Sequence, residues 1–132
     1  MKIYITHCSD KKDDSLKNTG IKVTPDRLYK GKRVQAFMRR CMELGKDWAI
    51  FSDQYGIWFP HEQHEWYEKS PNDVSENEYE LLLRNFDDRL LPYENIYFYR
   101  HPARFHKLYK KITSESNLKD RIKFISRISE IV

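Results

Sequence analysis

The sequence predicts a small α/β domain built on a mainly parallel sheet of about four strands. Three observations carry that prediction. Short β-rich runs alternate with stretches of helical periodicity, which is the pattern of stacked βα units. One of those runs is apolar throughout, as a strand covered on both faces is. The chain of 132 residues, 39% hydrophobic and 14% aromatic, fits a single domain around one core.

The elements follow in order. Lys2 to Thr6 alternates Ile3 and Ile5 with Tyr4 and Thr6, the period of a strand. Val34, Phe37, Met38 and Cys41 recur at helical spacing, and Gly45 follows as a left-handed stop, so a first helix lies between them. Trp48-Ala49-Ile50-Phe51 is the wholly apolar run and the second strand. Ser75, with Glu78 three residues on, forms a capping-box pattern. Tyr79, Leu82, Leu83, Phe86 and Leu90 then share one helical face until Pro92 ends it. Ile96 to Tyr99 and Ile122 to Ile125 supply two more strands. Between them Pro102 stands near a helix start, ahead of Phe105, Leu108, Tyr109 and Ile112 at helical spacing. The tail from Arg127 has room for a final turn or two. Right-handed crossovers between such strands predict a three-layer, Rossmann-like domain.

In that arrangement every parallel strand ends on the same edge of the sheet, where ligands of such folds bind. Strand one delivers His7, Cys8, Ser9, Asp10, Lys11 and Lys12 to that edge. Strand two delivers Ser52, Asp53, Gln54, Tyr55 and Gly56, and strand three Arg100 and His101. Two connections, Asp13 to Gly31 and Gly56 to Val74, are much longer than compact α/β units need, and excess of this kind is usually functional.

Net charge is +4 and the isoelectric point is near 9.0, a bias toward anionic partners such as nucleotides or nucleic acid, or simply a solvated lysine surface. No apolar run has the length to span a bilayer. The amino end enters strand sequence without a signal peptide's apolar core, so a cytoplasmic protein without a membrane partner is expected. Cys8 and Cys41 belong to no Cys-x-x-Cys pair and are expected reduced; Cys8, beside His7 and Lys11, has a context for activation but better fits a small buried thiol. In His61-Glu62-Gln63-His64-Glu65 the histidines are three apart, not the four that a helical zinc signature needs. No metal or cofactor is assigned. Glycine-rich dinucleotide loops, Walker loops and nucleophile elbows are absent. Arg100-His101-Pro102-Ala103-Arg104, with His106 and Lys107 beyond, places cations at a strand-to-helix junction that suits a phosphate, Arg100 and His101 being the better placed.

The most distinctive stretch is Ser52-x-x-Tyr55-Gly56-(apolar)-x-x-Pro60, followed by Trp66-Tyr67-Glu68. Upstream lie Cys8-Ser9-Asp10-Lys11-Lys12 and Leu28-Tyr29-Lys30-Gly31. Together these resemble the motifs of YaaA-like proteins and related small domains of unknown function. Trp66 departs from the pattern, standing where those proteins have proline before the tyrosine. The resemblance implies an α/β fold in which Ser9, Lys11, Lys12, Tyr29, Ser52, Tyr55, Gly56, Pro60 and Tyr67 are grouped.

The leading expectation is a nucleotide- or nucleobase-handling domain, with an N-glycosidic or base-modifying step as the candidate reaction. Lys11, Lys12, Arg100 and His101 would grip anionic groups, and Tyr29 and Tyr55 would hold the base. Ser52, Asp53 and Glu68 would supply hydrogen bonds or acid–base function. A rival is a noncatalytic DNA- or RNA-binding module using Lys32, Arg33, Arg39 and Arg40 of the first helix. A third reading is a protein-interaction adaptor with Trp58, Phe59 and Trp66 as an exposed patch.

Overall fold

The computed structural model describes residues 1–132, and each of the four expected strands forms. In chain order the elements are β1 (Lys2–His7), β2 (Lys22–Val23), α1 (Pro25–Leu28), α2 (Lys32–Glu43), β3 (Trp48–Ser52), β4 (Gly56–Trp58), β5 (His64–Glu65), α3 (Glu76–Leu90), β6 (Asn95–Tyr99), α4 (Lys107–Glu115) and β7 (Ile122–Ile125). The main sheet has five strands in the order β4-β3-β1-β6-β7. β1 pairs in parallel with β3 and β6, and β6 with β7.

The fifth strand, β4, returns antiparallel on β3 with Ser52 opposite Gly56 and Ile50 opposite Trp58, so the sheet is mixed. At three residues it is too short to announce itself by periodicity. Gly56, at φ +74°, provides the reversal that a side chain would resist. β2 and β5 form a separate antiparallel ribbon, Val23 opposite His64, which ties the two long connections to each other.

Alternation along the strands divides the core between the two faces of the sheet. Ile3, Ile5, Phe51 and Phe98 share one buried cluster with Phe86 and Leu90 of α3 and Tyr109 and Ile112 of α4. Tyr4, Trp48, Ile50 and Tyr99 share the other with Val34, Phe37 and Cys41 of α2. This explains the apolar run of β3: Ala49 and Phe51 go one way, Trp48 and Ile50 the other.

α3 starts at the expected capping box, in which Ser75 Oγ accepts from the Glu78 amide at 3.2 Å and Glu78 Oε1 accepts from the Ser75 amide at 3.0 Å. α4 differs from expectation. Pro102–Arg104 closes a separate 3₁₀ turn, and the helix begins only at Lys107. Phe105 and His106 keep extended backbone in between, which lets Phe105 drop into the core and lets His106 Nδ1 cap the helix by accepting from the Leu108 amide at 3.0 Å. The tail forms a 3₁₀ turn at Ile128–Glu130. No helix is long and apolar enough to cross a membrane.

Candidate functional site

A cavity of about 780 Å³ opens at the carboxyl ends of β1 and β3, walled by the first turn of α2, the Tyr67–Asp73 segment and the start of α4. Its size suits a small organic ligand, for which about 300–1,000 Å³ is usual. Cations dominate the rim: Lys11, Lys12, Lys32, Arg33, Lys69 and Arg104, against Asp10, Glu68 and Asp73. The floor is made of His7, Cys8, Asp53, Tyr67 and Tyr109.

Local hydrogen bonding explains how the floor forms. β1 keeps its pairing one residue past His7, since the Cys8 amide donates to the Phe51 carbonyl at 2.9 Å. At the end of β3 the Ser52 hydroxyl accepts from the Gln54 and Tyr55 amides, at 3.1 and 3.0 Å, and so closes the turn. That turn holds Asp53 at the cavity floor, only 3% exposed. Ser52 Oγ donates in turn to the Tyr67 hydroxyl at 3.2 Å, and Tyr67 shares a 2.6 Å hydrogen bond with the Tyr29 hydroxyl. Tyr29 reaches this point because residues 13–28 form a closed loop. An antiparallel bridge joins Lys12 to Tyr29, with the Asp13 amide bonded to the Leu28 carbonyl and the Lys30 amide to the Lys11 carbonyl, each at 2.8 Å. Lys12 then sets its ammonium 4.5 Å from the Tyr67 ring centroid, a cation–π contact.

Burial sets the charge states. It pushes the Asp53 carboxyl above the ordinary carboxylate range, with the Cys8 thiol, the Tyr67 hydroxyl and Lys12 pulling the other way. The same burial, reinforced by Asp53, raises the Cys8 thiol to about 11, so it is a protonated donor and not an activated nucleophile. Desolvation also raises the phenols of Tyr29, Tyr67 and Tyr109. His7 is held down to about 4, first by burial and then by the charge of Arg33. Its Nδ1 lies 2.9 Å from the Cys8 carbonyl, an acceptor, which assigns the proton to Nδ1 and leaves the Nε2 lone pair free. Its ring stacks on Tyr109 at 5.0 Å between centroids. The result is a floor of neutral hydrogen-bonding groups around one buried carboxyl, beneath a cationic rim.

The structure brings Ser9, Lys11, Lys12, Asp53, Tyr67 and Glu68 to the cavity, with Ser52 and Tyr29 in the hydroxyl network beneath it. Glu68 is exposed on the rim, while the Ser52 hydroxyl is committed to three partners. The other expected residues go elsewhere. The Tyr55 ring stacks on His64 at 4.0 Å and its hydroxyl donates to the Glu65 carbonyl at 2.9 Å, so it fastens β5 instead of facing the cavity. Gly56 lies beside α3, and a Cβ there would collide with Asn85 Oδ1, the acceptor of the Ile57 amide. Arg100 covers Phe124, with Cζ 3.9 Å from the ring centroid, and His101 caps the 3₁₀ turn by accepting from the Ala103 amide at 3.2 Å. Neither lines the cavity; Arg104 and His106 do. The reason is the separate 3₁₀ turn, which shifts the cationic approach a few residues along the chain.

His7 and Cys8 are legible as strand-end residues, whereas the sequence marks Lys32 and Arg33 only as a basic helix face and Tyr109 only as core. Tyr109 belongs by spacing to the core face of α4, and only its hydroxyl, 3.3 Å from Cys8 Sγ, reaches the floor. Gly31 ahead of the α2 periodicity was the available signal for the first turn of α2. Of the four cations assigned to nucleic-acid contact, Arg33 donates to the Tyr99 carbonyl at 2.8 Å and Arg40 Nε to the Ile131 carbonyl at 3.1 Å. Trp58 is fully buried, and Phe59 and Trp66 are partly buried against the core. In the histidine segment, Glu62 pairs with Arg89 and accepts from the Phe59 amide.

Comparison with protein-family models, with curated proteins and with solved structures returned no match.

Proposed function

We propose that this protein binds a nucleotide or nucleobase-containing ligand in the cavity at the carboxyl edge of its sheet. An N-glycosidic or base-modifying step is the reaction class such a floor would serve. The observation that carries the reading is the cationic rim set over a floor of buried hydroxyls and one buried carboxyl. In this reading Lys11, Lys12 and Arg104 meet the anionic part of the ligand, and Asp53 and the neighbouring floor groups meet its polar base. Asp53 is the candidate acid–base group, because burial moves its pKa toward neutrality.

Kinship with YaaA-like proteins and a three-layer Rossmann-like fold belong to the same proposal. Supporting the kinship, Lys12, Tyr29, Ser52 and Tyr67, from four separate motif segments, meet at one place. Supporting the fold, α2 packs on one face of the sheet and α3 and α4 on the other.

Thermal-shift titration with a panel of nucleosides and nucleotides tests the function. At least one nucleotide is expected to raise the melting temperature, and Lys12→Ala is expected to weaken its binding by about tenfold, the loss of one charge-assisted contact. If no nucleoside or nucleotide shifts the transition, the reading fails. Affinity for DNA or RNA that falls steeply with salt would point instead to a nucleic-acid module.

A further inference from the structure

We propose that the cavity takes a purine mononucleotide held at both ends, its phosphoryl group at the amino end of α2 and the donor edge of a guanine-type base at Asp53. This rests on the nucleotide reading above and narrows it to a ligand class.

The phosphoryl end is argued from α2. The first intrahelical hydrogen bond runs from the Gln35 amide to the Gly31 carbonyl at 2.9 Å, which leaves the amides of Lys32, Arg33 and Val34 without helical partners. These three residues and Gly31 line the cavity. No side chain caps the helix, and its first turn contains no acid. Instead it carries Lys32 and Arg33, the sign of charge that a helix amino end disfavours unless an anion sits there. Ser9 fills the space where a cap side chain would go: a Cβ on Gly31 would lie 2.6 Å from Ser9 Oγ. That hydroxyl accepts from the Lys11 amide at 3.1 Å, which leaves its proton to donate. Free amides, the Ser9 hydroxyl and the basic residues Lys11 and Lys32 therefore line the same wall of the cavity.

The base end is argued from Asp53, an independent observation. Asp53 is only 3% exposed, and its carboxyl has no ion-pair partner. Its Oδ1 accepts from the Cys8 thiol at 3.5 Å, a weak donor, and the Tyr67 hydroxyl is the other neighbouring donor, which leaves the carboxyl with acceptor capacity toward the cavity. A carboxyl at the floor of a cavity is a strong acceptor for the donors of a ligand that enters it. The N1–H and 2-amino groups of guanine are adjacent and parallel, and they match the two oxygens of one carboxylate in the way an arginine fork does. Adenine turns an acceptor nitrogen to the same place, and hypoxanthine lacks the 2-amino group.

Calorimetric titration of the full chain with guanosine monophosphate, inosine monophosphate, adenosine monophosphate, guanosine and inorganic phosphate separates the terms. The guanine nucleotide is expected to bind about tenfold or more tighter than each of the other four ligands, tenfold being the usual scale for one lost charge-assisted contact. Asp53→Asn is expected to abolish the preference over the inosine nucleotide while leaving the affinity for inorganic phosphate unchanged. Ser9→Ala is expected to weaken the guanine nucleotide but not guanosine. Equal affinity for all three nucleotides would overturn the Asp53 assignment and leave the nucleotide reading standing. Equal affinity for guanosine and its monophosphate would overturn the phosphoryl subsite. Binding of none by the wild-type protein would overturn the underlying reading as well. The wild-type comparisons decide the matter even if Asp53→Asn does not fold.

Discussion

At the residue scale, Ser52 and Gly56 show how motif positions can act through geometry and not through contact with a ligand. Ser52 spends its oxygen on two backbone amides and its proton on Tyr67, so its role is to orient Asp53 and the tyrosine pair. Gly56 combines φ +74° with a Cβ position occupied by the Asn85 amide group. Gly56→Ala is therefore expected to lower unfolding free energy by about 1–3 kcal/mol, the range for a strained backbone position, as read by urea denaturation. An unchanged midpoint would mean that the β3–β4 turn adapts freely. The resemblance implies a group of both residues with Tyr29 and Tyr67; Ser52 joins that pair and Gly56 does not. Their division of labour is not legible, because it depends on which backbone amides the turn points at the serine, and on a contact with α3 that no spacing reveals. His7 was likewise placed correctly at a strand end, but its tautomer and low pKa come from a carbonyl and from packing on Tyr109.

At the element scale, helices with explicit end signals were the most legible. The Ser75–Glu78 pair marks the start of α3 because the cap chemistry is local: both hydrogen bonds lie within four consecutive residues. Ser75→Ala is expected to cost about 1 kcal/mol, the usual value for a lost serine cap, observable as a lower thermal midpoint with an unchanged fold. The start of α4 was misplaced for the opposite reason. Pro102 does open a turn, but the demand of the core for Phe105 interrupts it, and the cap that counts is His106. β4 and the β2–β5 ribbon leave no signal in the sequence because strands of two or three residues carry too few positions to show a period. They matter all the same: the β3–β4 turn holds Asp53 in place, and the ribbon binds together the two long connections that supply Tyr29 and Tyr67.

At the scale of the whole molecule, parallel topology accounts for the meeting of the β1 and β3 ends, while the residues after β6 and the composition of the rim are not legible from it. Arg33 and Lys32 belong by sequence to a helix surface, and only the position of α2 against β1 turns its first residues toward the cavity. The buried site also gives folding a defined pH dependence. With the folded His7 pKa near 4 against 6.5 in an unfolded chain, the unfolded state takes up the proton first as pH falls. The contribution is full above about pH 6.5 and is lost toward pH 4, amounting to no more than about 3–4 kcal/mol. His64 and His106, also lowered, act in the same sense, whereas the raised Asp53 acts against them. Urea midpoints at pH 7 and pH 4.5 are expected to differ less in His7→Phe, which keeps a ring on Tyr109 without a titrating nitrogen. An identical loss in both proteins would assign the acid sensitivity to other groups.

The guanidinium plate over Phe124 has a further consequence. β7 is an outermost strand, and its free flank offers unpaired amides and carbonyls to any neighbouring chain. Arg100 lays a permanent charge across the partly exposed ring at that margin, so a second copy zipping onto the strand would have to strip water from a cation.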